Sequence, residues 1–128
     1  MQIKIEHTHI RCQDLEAAVS WYEKVLGCKV LRRGEVPGMP IVRMDFHGQV
    51  FSLSPPREGM TPEPLSGNPR YGVWQIAFEV DDMAAAAAEF KARGAEFEVE
   101  PFQQTPTQKV GFIKAPDGVQ IELLEFKK

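Results

Sequence analysis

Cysteine is scarce in this chain, with Cys12 and Cys28 the only two among 128 residues. Two thiols in apolar surroundings make no disulfide framework, so they read as reduced, buried small hydrophobes, and packing must hold the fold. Long hydrophobic runs are also missing: none approaches the roughly 18 apolar residues that a membrane-spanning helix needs. Charge of one sign is absent too. Fifteen Lys and Arg stand against 18 Asp and Glu, for a net charge of −3. That balance gives no electrostatic footprint for nucleic acid or an acidic membrane surface. Residues 1–6 look like a strand and lack the apolar core of a signal peptide. The expectation is a cytoplasmic domain, ordinary in composition, with 43% hydrophobic and 26% charged residues.

What the chain does contain is a pattern, and the pattern occurs twice. Residues 3–12 alternate, with His7, His9 and Arg11 on one face and Ile10 and Cys12 on the other. Asp14 offers an N-cap, Leu15, Ala18, Val19, Tyr22 and Leu26 recur at helical spacing, and Gly27 supplies the stop. Strands are predicted over 28–33, 41–46 and 49–54, with a Pro/Gly-rich turn over 35–40 and a tight turn at His47-Gly48. Residues 55–71 are rich in Pro, Gly, Ser and Asn without an apolar period, and read as a linker or a loop over a site.

The order then repeats: a strand over 72–80, a helix capped by Asp82 and running to Gly94, and strands over 95–99, 108–115 and 119–126. Pro116-Asp117-Gly118 makes a turn before the last of these. The offset between copies is about 68 residues from His7 to Gln75 and about 70 from Ser52 to Glu122, which marks two copies of one supersecondary unit. The chain therefore divides into a module over 1–54, a linker over 55–71 and a module over 72–128. The fold class is α+β: two tandem βαβββ modules whose mixed sheets enclose a concave cleft.

The helices must cover the apolar face of each sheet. Ile10 and Cys12 in the first strand, and Ile76, Phe78 and Val80 in the strand that opens the second module, are the helix-facing sets. His7, His9, Arg11, Ser52, Gln75 and Glu122 then point the other way. A carboxylate in the middle of an apolar strand is costly to bury without a partner, so Glu122 faces either water or something that needs an anionic oxygen. Imidazole, amide oxygen and carboxylate are all ligands for a divalent first-row metal.

The stretch from His7 through Asp14-Leu15 to Tyr22 and Leu26-Gly27, with the ending Pro116-Asp117-Gly118 through Ile121-Glu122, resembles the vicinal oxygen chelate superfamily of glyoxalases, bleomycin-resistance proteins and extradiol dioxygenases. The resemblance implies paired βαβββ modules and a divalent metal (Ni, Zn, Mn or Fe(II)) at the positions that fall on His7, Gln75 and Glu122. It further implies a glyoxalase-type lyase or isomerase that works on a small substrate with vicinal oxygens through an enediolate-like intermediate, as a homodimer. Many members carry histidine where Gln75 stands. Glyoxalase I carries a glutamate where Ser52 stands, and a serine hydroxyl is a poor ligand and no base at neutral pH. Glu122 is then the remaining carboxylate and the candidate base. His9, Arg11, Ser52 and Trp74 are the candidate substrate contacts, with Arg11 able to hold a carboxylate or phosphate. His9 is equally readable as a polar filler, Arg11 as a rim salt bridge, and Trp74 and Phe46 as core packing. His47 is expected to be exposed. The alternatives on the same scaffold are a metal-dependent dioxygenase, a thiol transferase, and a metal-free drug-binding resistance protein.

Overall fold

The computed structural model describes all residues, Met1–Lys128. The chain forms two compact units, Met1–Pro64 and Leu65–Lys128, divided inside the proline-rich stretch. The first contains β1 (Thr8–Arg11), α1 (Leu15–Lys24), β2 (Lys29–Val36), β3 (Met39–Phe46) and β4 (Gln49–Ser54). Its open sheet has the order β1-β4-β3-β2, with β1 parallel to β4 and the other pairs antiparallel. The second contains β5 (Gln75–Glu79), α2 (Met83–Ala92), β6 (Phe97–Thr105), β7 (Gln108–Lys114) and β8 (Gln120–Phe126). Its order, β5-β8-β7-β6, and its strand directions repeat those of the first unit. The sequence repeat is thus a repeat of topology.

Local chemistry explains both helices. Asp14 accepts a hydrogen bond from Ala17 N at 3.0 Å, and Asp82 one from Ala85 N at 3.0 Å, so each helix starts on a satisfied donor. Gly27, at φ 68°, closes α1 in a conformation that glycine adopts without penalty. The first core is aromatic. Ala18, Val19 and Tyr22 of α1 are buried with Val42, Met44, Phe46, Phe51 and Leu53. Phe46 stacks on Phe51 at 4.2 Å and lies 4.7 Å from Tyr22. Cys12 and Cys28 are buried thiols outside any disulfide, and burial, helped by Asp45, pushes the Cys28 thiol up to about 12, so it packs rather than reacts. In the second unit Met83 and Ala87 of the alanine-rich α2 are buried, as are Val110, Ile113, Ile121 and Leu123.

Several strand limits differ from the sequence expectation, among them the start of β5, which opens at Gln75 rather than at residue 72. The first strand opens at Thr8, and Ile3 and Ile5 are 83% and 81% exposed. Thr8 pairs with Phe51, and β4 begins at Gln49, which lies opposite residue 6 in that parallel register, so residues 1–5 have no strand to pair with. The β2–β3 turn shrinks to Pro37-Gly38, because Pro40 lies outside the part of β3 that pairs with β4, where its missing N–H is tolerated. β6 extends to Thr105 through register shifts that break its alternation, and it can hold Pro101 because it is an edge strand. Gly111 faces that proline closely, since a Cβ there would sit 3.2 Å from Pro101 Cγ.

Candidate functional site

In the first unit the parallel register sets His9 opposite Ser52 and Arg11 opposite Ser54, while β3 brings Arg43 opposite Ser52. Opposed residues share a face, so these five side chains lie together, and Ile10, Leu53 and Phe51 take the core face. Ser52 and Ser54 are almost fully buried. His9 Nε2 and Ser54 Oγ are 2.7 Å apart. Beside them opens a cavity of about 360 Å³ lined by His9, Arg11, Met39, Ser54, Arg57 and Met60. Partial burial, followed by the charges of His7, Arg11 and Arg57, holds His9 below the usual histidine range. Its imidazole is therefore the neutral form near pH 7.

His7 lies one residue before β1. Its Nδ1–H donates to Glu6 Oε1 at 2.6 Å, and Arg43 grips the same carboxylate with both terminal nitrogens, at 3.1 and 2.7 Å. A carboxylate on one ring nitrogen fixes the tautomer and leaves Nε2 as an acceptor, the arrangement commonly found behind metal-bound histidines. Arg43, and then His7, hold the Glu6 carboxyl at about 2, well below the ordinary 4.5. A carboxylate whose folded-state value is depressed adds stability above its unfolded value and loses that stability as pH falls toward the folded value. Glu6→Gln is accordingly expected to flatten the fall of the thermal midpoint between about pH 4.5 and pH 2. Equal acid sensitivity in the variant would show that this ion pair contributes nothing.

In the second unit Gln75 stands opposite Gln120, and Glu122 lies between Ala77 and Phe112 on the neighbouring strands. Gln75 Nε2 donates to Gln120 Oε1 at 2.7 Å, which leaves the Gln75 amide oxygen available. Glu122 is half-buried in the middle of β8, and its carboxylate makes no hydrogen bond and no ion pair. Ile121 and Leu123 on either side of it are completely buried on the core face. Trp74 precedes β5 with its side chain 46% exposed, and its carbonyl accepts from Gln120 N at 3.0 Å.

The candidate residues thus fall into two groups: His7, His9, Arg11 and Ser52 in the first unit, and Trp74, Gln75 and Glu122 in the second. No three His, Cys, Asp or Glu side chains are gathered so that they could hold a metal ion. Each unit by itself does carry donors of a kind that suits one. His7 is tethered through Nδ1 and Gln75 through its amide nitrogen, each with its ligating atom spare, and Glu122 is a carboxylate without a partner. Arg11 makes no ion pair, so the rim salt bridge is not formed. Phe46 is core packing, and His47 is exposed with Nε2 bonded to the Leu26 carbonyl at 2.5 Å. Sequence reasoning missed Ser54, Arg57 and the two methionines of the cavity. The alternation of β4 already set Ser54 on the Ser52 face; Arg57 and Met60 lie in a segment without a period and gave no signal.

Each βαβββ unit thus carries polar donors on the sheet face away from its helix. The chain matches the model of the Glyoxalase/Bleomycin resistance protein/Dioxygenase superfamily over residues 4–123 and belongs to that family. It is 30% identical over 132 residues to a probable lactoylglutathione lyase of Vibrio cholerae, covering 98% of this chain and 92% of that one. Its fold matches a glyoxylase/bleomycin resistance protein/dioxygenase domain from Frankia sp. EAN1pec with a TM-score of 0.78, at 20% identity and over 100% and 95% of the two chains. It also matches a trypanothione-dependent glyoxalase I of Leishmania major with a TM-score of 0.72, at 25% identity and over 97% and 87%. No helix of the chain is long and apolar enough to cross a membrane.

Proposed function

We propose that this protein is a metal-dependent lyase or isomerase of the glyoxalase type, acting on a small substrate with vicinal oxygens. The observation that carries this reading is Glu122, a half-buried carboxylate on β8 that no group in the chain neutralises. Relatives named lactoylglutathione lyase support the glyoxalase-type function. His7, Gln75 and Glu122 would hold the ion, whether Ni, Zn, Mn or Fe(II), through an imidazole nitrogen, an amide oxygen and a carboxylate oxygen. When bound, such an ion supplies Lewis-acid stabilisation of negative charge on substrate oxygens. Glu6 orients His7 through Nδ1, and Gln120 orients Gln75. Glu122 is the one carboxylate at the paired positions that can accept and return a proton, because Ser52 has no such capacity at neutral pH. That serine argues against lactoylglutathione lyase itself as the activity. A dioxygenase triad would need His9 in place of Gln75, yet His9 Nε2 is committed to Ser54 Oγ. A thiol transferase and a metal-free drug-binding role find no comparable support. The protein would work in the cytoplasm as a homodimer.

The test is metal content. Protein purified without chelators, or reloaded with each of the four ions, is expected to hold about one ion per chain, and His7→Ala to lower the affinity at least tenfold, the usual cost of disturbing a metal's ligand shell. Light scattering on the same sample reads the dimer. Failure of all four ions to bind in stoichiometric amount would end the metal-dependent reading.

A further inference from the structure

The cavity of the first unit is chemically one-sided. Its lining brings in two guanidiniums, Arg11 and Arg57, and no carboxylate. Arg33 and Arg43 of the same unit are each neutralised, by Glu16 and by Glu6. Arg11 has no such partner, and Arg57 bonds only the Pro37 carbonyl, through Nη1 at 3.0 Å. That one bond steadies the Arg57 fork and leaves its other donors free, out of the five a guanidinium carries. Ser54 and His9 add a hydroxyl and an imidazole, already paired with each other at 2.7 Å. Met39, which is buried, and Met60 supply the apolar part of the lining.

Both guanidiniums line the cavity and are also exposed, so an incoming anion reaches them, and each presents a planar fork that matches two oxygens of a carboxylate or phosphate. A carboxylate balances one of them. A tetrahedral dianion balances both and has three oxygens to divide between two forks. We infer that this cavity binds the phosphoryl or phosphonyl dianion of a small organic molecule, with Arg11 and Arg57 on the oxygens and Met39 and Met60 against the organic part. The inference deepens the proposed function by naming a substrate class. It rests on that reading only in taking the bound molecule as the substrate, since binding itself needs no metal. Arg11 and Ser54 lie on the same sheet face as His9 and Ser52, so a molecule held here is directed along the face from which His7 extends.

Calorimetric titration of the metal-stripped full-length chain at pH 7.5 tests it, with phenyl phosphate, inorganic phosphate and benzoate as probes. One phenyl phosphate per chain is expected to bind about tenfold or more tighter than either other probe, because only it offers both a dianion and an apolar group. Arg11→Gln and Arg57→Gln are each expected to weaken that binding by about tenfold or more, and Arg57→Lys by less, since it keeps the charge but loses the fork. Arg33→Gln, which removes a charge elsewhere in the same unit, should leave binding unchanged. Circular dichroism and the thermal midpoint establish that the variants are folded. The inference is overturned if phenyl phosphate shows no saturable binding, if benzoate or inorganic phosphate binds as tightly, or if folded Arg11→Gln and Arg57→Gln bind like the parent. Phenyl phosphate binding in a chain that takes up no metal would support this site while the proposed reaction fails.

Discussion

Glu122→Gln is expected to abolish stoichiometric metal binding and, with it, turnover. The substitution preserves shape and one oxygen, and removes the negative charge and the basicity. Exchanging even a supporting group around a bound metal costs about 10- to 100-fold in affinity, so loss of the only anion in the proposed ligand set should cost on the order of 100-fold or more. The fold should hardly notice. Glu122 makes no hydrogen bond and no ion pair, so its neutral analogue leaves nothing unsatisfied and relieves the cost of a partly desolvated charge. The thermal midpoint of the metal-free variant should therefore equal or exceed that of the metal-free parent. Metal analysis after reloading and a melting curve in chelator decide the matter together. A variant that keeps one tightly held ion per chain would show that Glu122 is not a ligand, and a variant that melts well below the parent would show a structural carboxylate instead.

Phe46→Ala is expected to have the largest effect on stability. The ring is 2% exposed, stacks on Phe51 at 4.2 Å with an interplanar angle of 11°, and approaches Tyr22 at 4.7 Å. Truncating a buried Phe to Ala removes its transfer free energy and leaves a cavity, together worth about 3–5 kcal/mol. Tyr22 comes from α1 while Phe46 and Phe51 come from β3 and β4, so the lost ring ties helix to sheet and collapse around the gap is restricted. Urea unfolding followed by far-ultraviolet dichroism measures the change. Phe46→Leu, which refills part of the volume, should recover about half of it. A loss below about 1 kcal/mol would mean that the aromatic cluster is not the keystone of the first unit.

Much of the architecture was legible because its causes are local. Asp14 and Asp82 cap helices three residues away, and Gly27 ends one with its own backbone. The alternation of residues 49–54 and 119–126 assigned Ser52 and Glu122 to the face away from Phe51, Leu53, Ile121 and Leu123, all of which are buried. Strand lengths were less legible, as the length of a strand belongs to its partner. Residues 3–7 alternate like a strand, but β4 does not reach back past residue 6, and the pairing of β1 with it begins at Thr8.

The sequence by itself determined the repeat, the two helix–sheet units, the identity of the donors and the sheet face that each occupies, because period, capping and turn chemistry act over a few residues. Only the tertiary structure decided what those donors touch. The His9–Ser54 bond joins residues 45 apart, the Arg43 grip on Glu6 spans 37, and Arg57 reaches back 20 residues to the Pro37 carbonyl. Such contacts depend on which strand lies beside which, a property of the packed sheet that no local pattern encodes. The same packing leaves Arg11, Arg57 and Glu122 without counter-charges, and the proposed metal and anion contacts rest on those unbalanced groups.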